Sequence, residues 1–342
     1  MKSTTLKEIA QQLNISITTV SKALKNYADV SPSTKSAVIE LAKKLNYSPN
    51  SFAVNLRTSE SRLIGLIIPE VVHHFFSNVI NGIIAEAEKH GYLVIILQSN
   101  ESGDLERKQV DLLINKRVDG IIISLSNQTN DDAHLKEILT REIPLVQFDK
   151  ISKLIPSSKV VINDQKAASE AVQHLIDQGC KKIAHIRGPE NPQNAIDRFL
   201  GYKKTLEKNN IIFDPTLVYT CKGAGFDEGY NFMKLIAEQH PDVDGVFAVT
   251  DMVAVGAIMF MNDNKIKMPE QIAIIGFSNW FMSQVITPKL SSVEQPSFEM
   301  GLQAFQLLLE EINCKKSGKD YFTKTIMLDT KVIVRESSLK GK

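Results

Sequence analysis

Apolar positions at helical spacing open the chain. Leu6, Ile9, Ala10 and Leu13 recur every three or four residues and predict a first helix. Thr5 stands at its N-cap, and Glu8 three residues later completes a capping box. Asn14 suits the turn that follows, because Asn tolerates the left-handed backbone. Ser16 caps a second helix that runs to about Lys25. Its apolar residues are Ile17, Val20, Ala23 and Leu24, with Ile17 at the tip; Thr18, Ser21, Lys22 and Lys25 form its polar face. In "SPSTKSAVIELAKKLNY", Ser31 caps a third helix and Pro32 takes its first position. Val38, Leu41, Ala42 and Leu45 are its core stripe.

Beyond Arg62 the pattern changes to near-continuous apolar runs separated by amphipathic helices. The runs include "LIGLIIP" (63–69), "LVIILQ" (93–98), "GIIIS" (120–124), "PLVQFD" (144–149), "KVVIN" (159–163), "KIAHIRG" (182–188), "LVYTC" (217–221), "GVFAVT" (245–250) and "IAIIGF" (272–277). Helices are expected over Phe75–His90, Asp164–Gln178, Arg198–Asn209 and Asp251–Asn264. Apolar strands alternating with helices mean parallel sheets covered on both faces, and so many units call for two α/β lobes.

The net charge of +1 hides an asymmetry. Residues 1–60 carry eight Lys or Arg against four Asp or Glu, whereas the rest carries 32 against 35. A basic head on a mildly acidic body points the head toward a polyanion. The three cysteines, Cys180, Cys221 and Cys314, are far apart and form no CxxC, which fits a reducing compartment. The N-terminus has no apolar run of signal-peptide length, and no stretch approaches the roughly 18 apolar residues of a membrane span. A cytoplasmic protein is expected, with no membrane partner.

Three short helices with a four-residue turn between the first two describe a helix-turn-helix unit. In such a unit the N-terminal residues of the second helix read base edges in the major groove. Here they are Ile17, Thr18, Ser21 and Lys22. Thr and Ser bond several base edges, Lys reaches guanine O6 and N7, and Ile17 can touch a thymine methyl.

The segment "TLKEIAQQLNISITTVSKALKNYADVSPSTKSAVIELAKKLNYSPNSFAVNLRT" resembles the headpiece of the LacI/GalR family of bacterial transcription regulators. The likeness runs without a gap from Thr5 to Thr58 and continues through "RLIGLIIP". The resemblance implies a helix-turn-helix domain over residues 1–49, a hinge helix and linker over 50–61, and an effector-binding and dimerisation core over 62–342. The implied fold is an all-α headpiece followed by an α/β two-lobed, periplasmic-binding-protein-like core. The implied DNA-facing set adds Thr5, Leu6, Ser16, Thr19, Asn26, Asn50, Ala53, Leu56 and Arg57. Leu56 takes the place of a leucine that wedges between bases in the minor groove and kinks the duplex.

By the same likeness the chain crosses between lobes near Val161–Asn163, Leu290–Ser292 and Phe322–Lys324. Lobe one would hold about 62–161 and 291–322, and lobe two about 162–290 and 323–342. Open α/β sheets bind ligands at the carboxyl ends of their strands. Following those ends gives Phe75, Phe76, Ser77, Asn100, Ser124 and Asp149 in the first lobe, and Asn194, Arg198, Phe226, Asp251 and Ser278 in the second. Carboxylates and a guanidinium beside aromatic walls suit a carbohydrate effector. Asp251 could also be a helix N-cap. Many family members carry an acid just after "IGF"; this chain has Ser278, which removes a charge from the pocket. Trp280 fits either the pocket mouth or a lobe core.

No GxSxG, Walker A or HExxH occurs, "GAGFDEG" has the wrong spacing for a dinucleotide fingerprint, and adjacent His73 and His74 cannot share a helical face for a metal. No catalytic residues, cofactor or metal are expected. The resemblance implies a homodimeric repressor on a pseudo-palindromic operator. No leucine heptads follow "VIVRESS", which favours a dimer over a tetramer.

Overall fold

The computed structural model describes residues 5–47 and 60–340. It divides into two units, residues 1–61 and 62–342. The expected hinge helix over Ser51–Arg57, with Asn50, Ala53 and Leu56, lies outside the described residues.

In the first unit the helices are α1 (Leu6–Leu13), α2 (Ile17–Leu24) and α3 (Pro32–Lys44). The caps are those the sequence dictates. Thr5 Oγ1 accepts from the Glu8 N–H at 3.3 Å, while the Thr5 N–H donates to Glu8 Oε2 at 2.9 Å. Asn14 is left-handed at φ 48° and closes α1. Ser16 and Ser31 accept from the N–H groups of Thr19 and Thr34, satisfying donors that a helix start leaves open. The three helices close on Ile9, Ala10, Val20, Ala23, Val38 and Ala42.

The second unit holds two six-stranded sheets. Its strands in chain order are β1 (Leu63–Ile68), β2 (Leu93–Gln98), β3 (Gly120–Ile123), β4 (Leu145–Phe148), β5 (Ser158–Ile162), β6 (Ile183–Arg187), β7 (Val218–Thr220), β8 (Gly245–Ala248), β9 (Ala273–Phe277), β10 (Ser291–Glu294), β11 (Thr325–Leu328) and β12 (Lys331–Ile333). The first sheet has the order β11-β5-β4-β3-β1-β2 and is wholly parallel. The second has the order β12-β10-β9-β8-β6-β7 and is parallel except for β12 against β10. Four helices serve the first lobe: α4 (His74–Lys89), α5 (Gly103–Asn115), α6 (Ala133–Thr140) and α11 (Ser297–Lys316). Four serve the second: α7 (Asp164–Asp177), α8 (Gln193–Lys208), α9 (Phe226–Gln239) and α10 (Asp251–Asp263). β1, β3 and β4, buried along nearly their whole length, explain the unbroken apolar runs.

The chain passes between sheets at Asn163, between β10 and α11 at Gln295–Pro296, and between β11 and β12 at Asp329–Thr330. The second and third passages therefore lie several residues beyond Leu290–Ser292 and Phe322–Lys324. Residues 291–294 belong to the second sheet and 325–328 to the first. The physical reason is that β10 hides its serines. Ser291 and Ser292 are fully buried, and their hydroxyls donate to the Arg335 carbonyl at 3.0 Å and to Asp251 Oδ1 at 2.6 Å. A strand with two serines among its three buried residues carries no apolar alternation to read. α8 also starts at Gln193 rather than Arg198, directly after Pro192, whose extended backbone forms the N-cap without a side-chain bond.

Candidate functional site

The first unit presents a groove on one side of α2, lined by Leu6, Ile17, Thr18, Ser21, Lys22, Lys25 and Tyr27. Ile17 is 48% exposed, while Val20 and Ala23 on the same helix are buried. Ile17 therefore leaves the apolar stripe and joins the polar face. Ser16 and Thr19 serve the cap, with their hydroxyls 2.8 Å apart. Lys22 Nζ donates to the Asp29 carboxylate, and that contact holds the Asp29 carboxyl below the usual carboxylate range. Asn26 is left-handed at φ 57° just beyond α2. Tyr27, about half exposed, completes the groove and carried no helical-face signal in the sequence.

The second unit has a cavity of about 310 Å³ between its lobes. It lies at strand carboxyl ends, where the βα turns converge. Of the residues expected there, Phe75, Phe76, Asp149, Asn194, Arg198, Phe226 and Ser278 line it. Phe75 and Phe76 enter from the first turn of α4, with their rings edge to face at 5.2 Å. Asp149 follows β4 in a left-handed turn at φ 54°, which swings its carboxylate into the buried wall. Asn194 and Arg198 are four residues apart on α8 and so share a face. Asn194 Nδ2 donates to Asp149 Oδ1 at 3.2 Å across the cleft.

Arg198 is buried, stacked over the Phe277 ring at 3.7 Å, and hydrogen-bonded to Asp164 Oδ1 at 2.8 Å and the Val249 carbonyl at 2.9 Å. Burial pushes the Asp164 carboxyl up to about 7, against the pull of the Arg198 guanidinium. Asp149 also moves up through burial, opposed by Arg198 and Lys150. Ser278 donates to Gln295 Oε1 at 3.0 Å.

Four expected residues stand elsewhere. Ser77 donates to the carbonyls of Val71 and His73 and steadies the start of α4. Asn100 is exposed in a left-handed turn after β2 and accepts from Gln98. Ser124 is wholly buried at the end of β3. Asp251 is neither a wall residue nor the cap: Thr250 caps α10. The Asp251 carboxylate instead accepts from Trp280 N–H at 2.6 Å, Ser283 Oγ at 2.7 Å and Ser292 Oγ at 2.6 Å. It ties three segments together beneath the cleft floor. Trp280 is half-buried edge-on to Phe281 and is not part of the cavity wall.

The wall also contains residues that strand ends alone did not identify. Lys150 bridges Glu101 Oε1 at 2.5 Å and Asn127 Oδ1 at 2.7 Å; its place beside Asp149 in "FDK" was the one available signal. His73 precedes α4, and burial holds its imidazole down at about 4, so it is neutral at physiological pH. Gln295 occupies the second passage between lobes, a position with no periodic signature. Among the described residues, no three His, Cys, Asp or Glu side chains gather to hold a metal. No helix among them is long and apolar enough to cross a membrane.

Residues 5–50 match the model described as bacterial regulatory proteins, lacI family. Residues 61–329 match the model described as periplasmic binding proteins and sugar binding domain of LacI family. The chain is 32% identical over 340 residues to a ribose operon repressor from Halalkalibacterium halodurans, covering 99% of this chain and 98% of that one. Among solved structures, a complex of the transcriptional regulator CelR with cellobiose is 25% identical at a TM-score of 0.74, covering 98% of this chain and 99% of the other. The lac repressor dimer bound to operator and the anti-inducer ONPF shares the fold at a TM-score of 0.88 and 21% identity, over 99% of this chain and 100% of that one.

Proposed function

The chain belongs to the LacI family of bacterial regulatory proteins, and from that premise we propose that it is a repressor whose affinity for a pseudo-palindromic operator is set by a small carbohydrate-like effector in the interlobe cleft. The observation that carries this reading is the row Ile17, Thr18, Ser21 and Lys22 lining one groove on a capped helix, in a chain that also holds a buried polar and aromatic cleft. A Lys for guanine, hydroxyls for several base edges and an apolar tip for thymine form a base-reading set. The acting protein is a homodimer, so that its two-fold axis matches that of the DNA. Leu93 and Ile96, exposed on the edge strand β2, are surface that a second copy can cover. Operator binding places the protein in the cytoplasm.

The domains follow: residues 1–49 read the major groove, 50–61 form the hinge with Leu56 as the minor-groove wedge and Arg57 beside it, and 62–342 bind effector and dimerise. Within the core, Phe75, Phe76, Asp149, Asn194, Arg198, Phe226 and Ser278 hold the effector. Effector binding changes the angle between lobes, and operator affinity changes with it. That link is a coupling free energy, so operator DNA must alter effector affinity by the same factor.

The test is operator selection from a palindromic DNA library, then affinity measured against random DNA across salt. Expected is a specificity ratio of about a thousandfold or more, with log affinity falling linearly in log salt. Equal affinity for selected and random DNA overturns the reading.

A further inference from the structure

The two cations of the cleft are already engaged within the protein. Resting on the reading of this cleft as the effector site, we infer that the effector is an uncharged molecule rich in hydroxyl or carbonyl groups, and that phosphorylated or carboxylated ligands are excluded. The cavity wall carries two cations, Lys150 and Arg198. Lys150 is held by Glu101 and Asn127. Arg198 is held by Asp164 and the Val249 carbonyl.

The backbone offers an anion no better purchase. The Gly223–Gly225 loop on the wall leads into α9, the kind of N–H-rich helix start that cradles phosphate. Here Glu228 takes that role from within. Its carboxylate accepts from the N–H groups of Lys222 at 2.6 Å, Gly223 at 3.0 Å and Gly225 at 3.3 Å. The start of α10, also on the wall, is capped by Thr250. His73 is neutral.

Glu70, Glu101 and Asp149 add three carboxylates to the wall. An anionic ligand would lose its hydration beside them with both cations already hydrogen-bonded within the protein, a cost that burial makes large. A cationic ligand fares no better at the deepest carboxylate, because Asp149 already lies in the field of both Arg198 and Lys150.

The buried groups that the cleft leaves without a partner are neutral. Gln295 is buried, its Oε1 accepts from Ser278, and its Nε2 has no partner. His73 Nδ1 is likewise buried without a partner. Buried polar groups are rarely left unsatisfied, so these two await a ligand's atoms. A hydroxyl, which both donates and accepts, satisfies either. The Phe75 and Phe226 side chains supply the apolar surface that a polyol ring or a planar base needs.

The test is calorimetric titration of the full-length protein with matched probes: ribose and ribose 5-phosphate, glucose, glucose 6-phosphate and gluconate, cellobiose, glucosamine, and adenosine with its monophosphate. Expected is binding by at least one uncharged probe, at least about tenfold tighter than by its charged counterpart, where the set holds one. The Gln295→Met variant should weaken that binding while circular dichroism and thermal melting stay those of the parent protein. Tighter binding by a phosphorylated, carboxylated or amino probe, abolished by Phe226→Ala or Asp149→Asn, overturns this inference and leaves the cleft reading standing. Binding of any probe that ignores both substitutions overturns the cleft reading itself. Binding by no uncharged probe overturns the inference.

Discussion

Asn194 and Asp149 join the two lobes: the Asn194 amide donates to the Asp149 carboxylate at 3.2 Å across the cavity, from α8 to the turn after β4. Any ligand entering here must share or replace that bond. Asp149→Asn keeps the size of the side chain and removes its charge. The expected result is a loss of effector affinity of about ten- to a hundredfold, with a smaller shift in operator affinity without effector, because the bond between the lobes is weakened as well. Paired titrations of effector and operator measure both.

Lys22 is held by Asp29 at the edge of the base-reading helix. Lys22→Ala should cost about 1–3 kcal/mol at one operator position and relax the base preference there. Asp29→Asn should do something different. It removes a carboxylate that competes for Lys22 and repels a polyanion, so affinity for random DNA should rise and the specificity ratio should fall. Anisotropy titrations on the operator and its single-base variants separate the two; a uniform loss for Lys22→Ala marks a phosphate contact instead.

Leu56 lies in the segment likened to a hinge helix. Leu56→Ala should weaken specific binding and DNA bending, because an apolar wedge partly unstacks a base step. Circular dichroism and thermal melting should be unchanged. Unaltered operator affinity and bending would remove Leu56 from the interface.

Helices α9 and α10 cross where glycine is required. A Cβ on Gly256 would run into the Phe226 carbonyl oxygen, and one on Gly229 into the Val253 carbonyl oxygen. Backbone cannot yield as a flexible side chain can, so Gly256→Ala should destabilise by about 2 kcal/mol or more. Because Phe226 sits at that crossing, effector affinity should fall as well. Urea unfolding and effector titration test the pair of effects together.

His185 is buried, stacked on Phe247 at 4.7 Å, and its Nδ1 meets the Phe247 carbonyl at 2.9 Å. Burial lowers its imidazole from 6.5 to about 3. The folded state therefore resists a proton that the unfolded chain accepts. The resulting stability is complete above pH 6.5 and is lost as pH falls toward 3. Asp164 acts oppositely: raised to about 7, it favours the folded state at low pH and loses that contribution as pH rises through 7. His185→Phe should therefore flatten the decline in urea midpoint between pH 6.5 and 4.5 relative to the parent protein. An unchanged slope would assign acid sensitivity to other groups.

The sequence alone determined what local chemistry decides. Thr5 with Glu8, Asn14, Ser16 and Ser31 with Pro32 set the boundaries of the head helices, because caps and left-handed turns depend only on residues within one turn. The apolar runs placed β1, β3, β4, β6, β8 and β9 for a similar reason: a strand buried on both faces needs an unbroken apolar stretch. Tertiary structure decided which strand-end side chains reach the cleft. Asp149 and Asp251 both follow strands and read alike, yet only Asp149 lines the cavity. Asp251 is claimed by Trp280, Ser283 and Ser292, partners brought from later in the chain. Gln295 joins the wall because the lobes cross at that point, where no local pattern marks it. A hydrogen-bond partner thirty or forty residues away is fixed only when the lobe that holds both has folded, and that is why the polar side chains of the cleft required the fold to be told apart.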